Sequence, residues 1–171
     1  MVAAVAIPNY YFWSQREKQK QTLVTLRDVS YALFDYKEDH GSLPVCKGCA
    51  TYYLRKFLEP SYIDVVPLKD AWGRSIQYTA SKNSFVLWSL GRDGLPQYFP
   101  FGGGSDSFDI DLVFFNRGLW QGPNGLCGGY PREIADPFLL VASELDGVRT
   151  PTSPQSRPPV SESPVLEDGR H

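Results

Sequence analysis

The sequence predicts an α+β fold, a long N-terminal helix packed on a small antiparallel β-sheet. Two observations predict it. Leu26, Val29, Leu33 and Tyr36 recur three or four residues apart within Asn9 to Asp39, a stretch without Gly or Pro; this is the spacing of one helix side facing a core. Downstream, Phe85 to Leu90 (FVLWSL) is β-branched and aromatic, and Ser75 to Thr79 (SIQYT) precedes it across a loop holding Lys82-Asn83, as in a hairpin. A chain of 171 residues carrying these elements is one domain with appendages. The division is a helix over 1–40, a globular head over 41–147, and a tail over 148–171. The tail holds five prolines and several serines; it has little to bury and is expected to be disordered.

The N-terminal stretch changes character along its length. Met1 to Ile7 is apolar, Pro8-Asn9 follows, and Tyr10, Tyr11, Phe12 and Trp13 form an aromatic collar before charge begins at Arg16. Seven apolar residues fall well short of the ~20 that a membrane span needs, and no signal peptide is recognisable. Yet the order apolar, aromatic, basic is that of the interfacial end of a membrane helix, so Met1 reads as the stump of a longer apolar segment. A rod of roughly 50 Å cannot be covered by a small head, and its uncovered end is the apolar one. Arg16, Lys18 and Lys20 read as a solvated face or as a lipid-headgroup contact. The net charge of -2 argues against nucleic acid as a partner, because phosphate neutralisation needs a basic surface.

After the helix, Asp39 to Pro44 is a turn, with Gly41 as the helix stop. Cys46-Lys47-Gly48-Cys49 leads into a short helix expected over Ala50 to Leu58, and Pro60 and Pro67 keep Ser61 to Leu68 irregular. Ser75–Thr79, Phe85–Leu90 and Ile110–Phe115 are the predicted strands, with Ala80 to Ser84 as the hairpin loop. Gly91 to Asp109 is a long Gly-, Pro- and Asp-rich loop, a length more often functional than idle. Asn116 to Gly129 reads as Gly-rich turns, and Ile134 to Leu145 as a short helix.

Four stretches, in this order, resemble the type IV pilin-like superfamily and, within it, the major (G-type) pseudopilin of type II secretion. They are Ala3–Tyr11 (AAVAIPNYY), Leu33–Pro44 (LFDYKEDHGSLP), Leu58–Tyr78 (LEPSYIDVVPLKDAWGRSIQY), and Leu87–Gly94 (LWSLGRDG) with Asp106–Ile110 (DSFDI). The resemblance covers about residues 3 to 111. It implies a non-enzymatic subunit anchored in the bacterial inner membrane by a single pass, with its head in the periplasm. Such a subunit polymerises with itself into a pseudopilus and meets other pseudopilins and inner-membrane secretion components. Val2, Val5, Ile7, Pro8, Tyr11 and Phe12 would then pack in the filament core or membrane. The family's basic leader, processing glycine and early acidic residue are absent from this sequence, so the chain reads as truncated or as an unprocessed paralogue. A type IV pilin or a competence pseudopilin shares the helix and is the alternative.

The acidic loop is the best candidate site. Asp93, Asp106, Asp109 and Asp111 are either turn caps or ligands of a hard cation that takes six to eight oxygens. The resemblance implies calcium, held by Asp93, Asp106, Asp109 and the Leu90 carbonyl, with Asp111 a weaker candidate. Cys46 and Cys49 could be a redox pair of a periplasmic thiol-disulfide oxidoreductase, but in an exported domain they read more simply as a local disulfide. Cys127 and His40 could complete a zinc site only at irregular spacing. No serine nucleophile elbow is present, and Gly102-Gly103-Gly104-Ser105 lacks the lysine of a phosphate loop.

Overall fold

The computed structural model describes residues 3–97, 102–127 and 136–146. Helix α1 spans Ala3–His40, 38 residues, about 57 Å at the usual rise. It runs through Pro8, which lacks the amide that would bond one turn back, and ends at Gly41 (φ 72°), whose amide donates to the Lys37 carbonyl at 2.8 Å. Along the side facing the head, positions 12, 15, 19, 22, 26, 29, 33 and 36 alternate steps of three and four. The C-terminal half of that stripe is apolar: Leu26, Val29 and Leu33 are fully buried, each burial worth about 1.5–3 kcal/mol.

The stripe packs on a six-stranded sheet with order β1-β2-β3-β5-β6-β4. Its strands are β1 (Cys46–Ala50), β2 (Gln77–Ala80), β3 (Phe85–Ser89), β4 (Gly103–Ser105), β5 (Leu112–Phe115) and β6 (Gly118–Pro123). Pairing is antiparallel apart from β4 on β6. Side chains alternate across the pleat, so β3 and β5 feed two cores. Phe85, Leu87, Leu112 and Phe114 join the core under α1. Val86, Val113 and Phe115 join Trp120 and Val141 on the opposite face. That second face is covered by α3 (Pro137–Asp146), started by Asp136, whose Oδ1 accepts from the Phe138 amide at 2.9 Å. The Ser81 hydroxyl donates to Glu144 and ties α3 back to the β2–β3 loop.

The α+β class and the three expected strands stand, with shifted ends. Ser75 makes only an isolated bridge to Lys69, and β2 starts at Gln77. β3 stops at Ser89 and β5 starts at Leu112. Three strands were not expected. Cys46–Ala50 joins the sheet edge through a bulge against β2, and only Arg55–Leu58 of the expected helix is α-helical, after a 3₁₀ turn at Thr51–Leu54. β6 lies in the stretch read as turns. Asn116 (φ 50°) makes the tight turn from Phe115 to Gly118, which pair across it. β4 is three small residues with no apolar signal. Ile134, where the last helix was expected to begin, and the 148–171 tail lie outside the described residues.

Candidate functional site

The head grips α1 through polar as well as apolar contacts. Gln15, Gln19 and Thr22 sit on the buried stripe, and each finds a partner. Gln15 Oε1 accepts from Trp72 Nε1 at 2.9 Å, Gln19 Nε2 reaches the Ser107 carbonyl at 3.5 Å, and Thr22 Oγ1 accepts from the Ala71 amide at 3.1 Å. Buried polar groups need such partners, and these tie the helix to the 70–72 turn and to the acidic loop. Sequence reasoning missed them, because a polar residue on a helix normally marks a solvated face.

The grip ends at the collar. Phe12 packs edge-on against Phe108, ring centroids 5.3 Å apart, and Tyr11 Oη accepts from Arg92 Nη1 at 3.3 Å. The rest of the collar and the residue before Pro8 are open: Tyr10 is 79 % exposed, Trp13 58 % and Ile7 69 %. Tyr11 and Phe12 are also about half exposed despite their contacts. Of the other residues expected to pack in a filament or membrane, Val2 lies outside the described residues. Val5 and Pro8 belong to α1, but their side chains lie outside the description. Among the described residues no helix is long and apolar enough to cross a membrane.

The four acidic residues of the loop fall into separate settings. Asp109 is held by Arg92: Nε and Nη2 donate to its two carboxylate oxygens, each at 2.7 Å. That guanidinium keeps the Asp109 carboxyl below the usual carboxylate range. Asp93 caps its own turn, accepting from the Leu95 amide at 3.0 Å and from Gln97 Nε2 at 2.9 Å. Asp111 is buried, with Oδ2 accepting from the Gln97 amide at 2.9 Å and Oδ1 without a partner among the described residues. Burial first, then the nearby charge of Asp93, pushes its carboxyl up to about 6, against the pull of the Gln97 amide. Asp106 is exposed, and the Leu90 carbonyl accepts from the Gly94 amide at 3.1 Å.

Calcium needs several of these oxygens turned to one point. As arranged, they do not fit such a cage. Both oxygens of Asp109 are engaged by a guanidinium, the Leu90 carbonyl closes a turn, and Asp93 faces Gln97. Among the described residues, no three or more His, Cys, Asp or Glu side chains are gathered so as to hold a metal ion.

A second arginine completes the loop. Asp70 Oδ1 accepts from the Arg74 amide at 2.8 Å and Asp70 Oδ2 from the Ser89 hydroxyl at 2.6 Å. Arg74 Nε donates to the Gly91 carbonyl at 3.2 Å, and its Nη2 to the Arg92 carbonyl. Two glycines make room for this. A Cβ at Gly91 (φ +60°) would lie 2.6 Å from the Ile110 carbonyl oxygen, and one at Gly94 (φ +73°) would strike the Arg74 guanidinium.

Cys46 and Cys49 are joined by a disulfide on edge strand β1, their Cα atoms 6.2 Å apart. The Gly48 amide between them donates to Thr79 Oγ1 at 2.9 Å. Oxidised sulfurs are not thiolate ligands, and His40 stacks on Tyr36 with centroids 4.1 Å apart, so the irregular zinc set is not assembled. Cys127 is a free thiol, its Sγ 3.6 Å from the Pro123 carbonyl, and burial pushes it up to about 11. No protein-family model matches the sequence, and no curated protein matches it.

Proposed function

We propose that this chain is a structural, filament-forming subunit of the pilin-like kind, with a type II secretion pseudopilin as the nearest description. In this reading α1 is the assembly element and the head is its cargo. The observation that carries it is the exposed collar at the end of α1. Ile7, Tyr10 and Trp13 are largely exposed, and Tyr11 and Phe12 stay about half exposed beside their contacts with the head; exposed apolar side chains gathered within two helical turns mark an interaction site. Packed side by side, copies of α1 bury their collars on one another, or on lipid at the membrane interface where Tyr and Trp are favoured. The four stretches of family-like sequence supply the expectation of an inner-membrane origin, a periplasmic head and other pseudopilins as neighbours. The mechanism is mechanical, with no bond made or broken.

The test is negative-stain electron microscopy of the purified chain as detergent is withdrawn. Filaments or short rods are expected, and they should vanish when Ile7, Tyr10 and Trp13 are all changed to Gln. Particles of one head size at every detergent level would overturn the reading.

A further inference from the structure

We propose that the two described arms of the acidic loop, residues 91–97 and 102–109, are held together by the chain's own cations, the guanidinium groups of Arg74 and Arg92, and that the head therefore folds and melts independently of calcium. The inference concerns the head alone and stands whether or not the chain forms filaments.

The geometry supports it from three sides. A loop rich in carboxylates and inward-turned carbonyls needs positive charge at its centre, and a divalent ion is one solution. Here Arg92 meets both oxygens of Asp109 in a two-pronged contact, each prong 2.7 Å, the planar match that makes Arg–carboxylate pairs strong and directional. Arg74 meets the carbonyls of Gly91 and Arg92, oxygens of the kind that otherwise coordinate hard cations. The backbone joins the start of the loop to its end: the Arg92 amide donates to the Phe108 carbonyl at 2.9 Å.

The arginines also fix the loop to its surroundings. Arg92 Nη1 reaches Tyr11 on α1 at 3.3 Å. Arg74 is pinned at its own backbone by Asp70, which in turn holds Ser89 at the end of β3. The positive φ of Gly94 and the absence of a Cβ there leave the space that the Arg74 head fills. Guanidinium groups carry their charge without any metal supply, so loop order would not depend on a divalent ion.

The experiment compares the full chain in millimolar calcium with the same chain in chelator, by thermal melting followed with circular dichroism. A calcium ion present at about a hundredfold over its dissociation constant would raise the melting temperature of a chain this size by roughly 5–10 °C. We expect a difference below about 1 °C, within the scatter of a null linkage. Chymotrypsin cleavage after Phe108, read by mass spectrometry, reports the loop itself. Cleavage should be slow and equal in both media for the wild type, and faster in both media for Arg92→Ala and for the milder Arg92→Lys, which keeps charge but loses the fork. A rise of several degrees on adding calcium to the wild type would overturn the proposal. So would wild-type cleavage that is fast in chelator and slow in calcium. The wild-type comparison decides the matter even if a variant does not fold.

Discussion

Trp72 Nε1 and Gln15 Oε1 meet at 2.9 Å where the head's last polar turn reaches α1. C-terminal to this bond the helix stripe is buried; toward the N-terminus contacts thin to Phe12 on Phe108 and Tyr11 on Arg92. The bond thus marks where a supported helix becomes a projecting one. Trp72→Phe keeps an aromatic ring but leaves Gln15 Oε1 in a buried position without its donor. The expected loss is about 1–2 kcal/mol, read as a lower urea midpoint with an unchanged slope. A Gln15→Ala, Trp72→Phe double-mutant cycle should show coupling; strict additivity would mean that the bond does not contribute.

Leu33 is fully buried at the centre of the main core. Leu33→Ala should destabilise the chain by about 2–5 kcal/mol through lost transfer energy and a cavity. Val24→Ala, at an exposed position on the same helix, should change stability by less than about 0.5 kcal/mol. Comparable urea midpoints for the two variants would contradict the assigned packing face.

Asp111 gives a pH signature of unusual sign. Its carboxyl is raised from the ordinary 3.8 to about 6, so between those values the folded state binds more proton than the unfolded one. Stability from this group is therefore present below about pH 4 and lost as pH rises through 6, amounting to about 1–3 kcal/mol. Asp109 and Glu59, held down by Arg92 and Arg55 respectively, act oppositely: their contributions are present at neutral pH and lost as pH falls through their depressed values. Urea unfolding at fixed ionic strength between pH 4 and 7 should show a decline that Asp111→Asn removes. Parallel profiles for the two proteins would show that Asp111 does not titrate as argued.

The Cys46–Cys49 bridge closes a loop of four residues, for which chain entropy gives about 2 kcal/mol. Reduction should lower the unfolding free energy by about that amount and loosen edge strand β1. Without reductant, thiol titration of the native chain should find a single, slowly reacting group, Cys127, its reactivity suppressed by burial at neutral pH. A fast-reacting thiol among Cys46 and Cys49 would instead support the redox reading of this pair.

What was legible in the sequence follows from how strongly each signal is local. The stripe through Leu26, Val29 and Leu33 and the runs in β3 and β5 announce themselves, because burial there is apolar and periodic. Gln15, Gln19 and Thr22 continue the same three-four spacing toward the collar, but their burial depends on partners 49 to 88 residues away. β6 is hidden by Gly118, Gly122 and Pro123, and by Gln121, whose Nε2 is buried against the Gln97 and Asp111 carbonyls at 2.5 and 3.2 Å. In the acidic loop the aspartates were visible and the arginines were not. Spacing flags carboxylates as metal ligands, but no spacing rule says that Arg92 will reach across 17 residues to Asp109. An arginine among aspartates in a Gly-rich loop was the one available signal.

The central claim, that the exposed end of α1 drives self-association, is tested most directly by sedimentation velocity in detergent-free buffer. The wild-type chain would be run across a concentration series beside the Ile7→Gln, Tyr10→Gln, Trp13→Gln variant. The wild type should sediment as growing oligomers while the variant remains a monomer with an unchanged melting temperature, because these three side chains are mostly exposed and lie beyond the buried core. A wild-type chain that stays monomeric at every concentration, indistinguishable from the variant, would contradict the account.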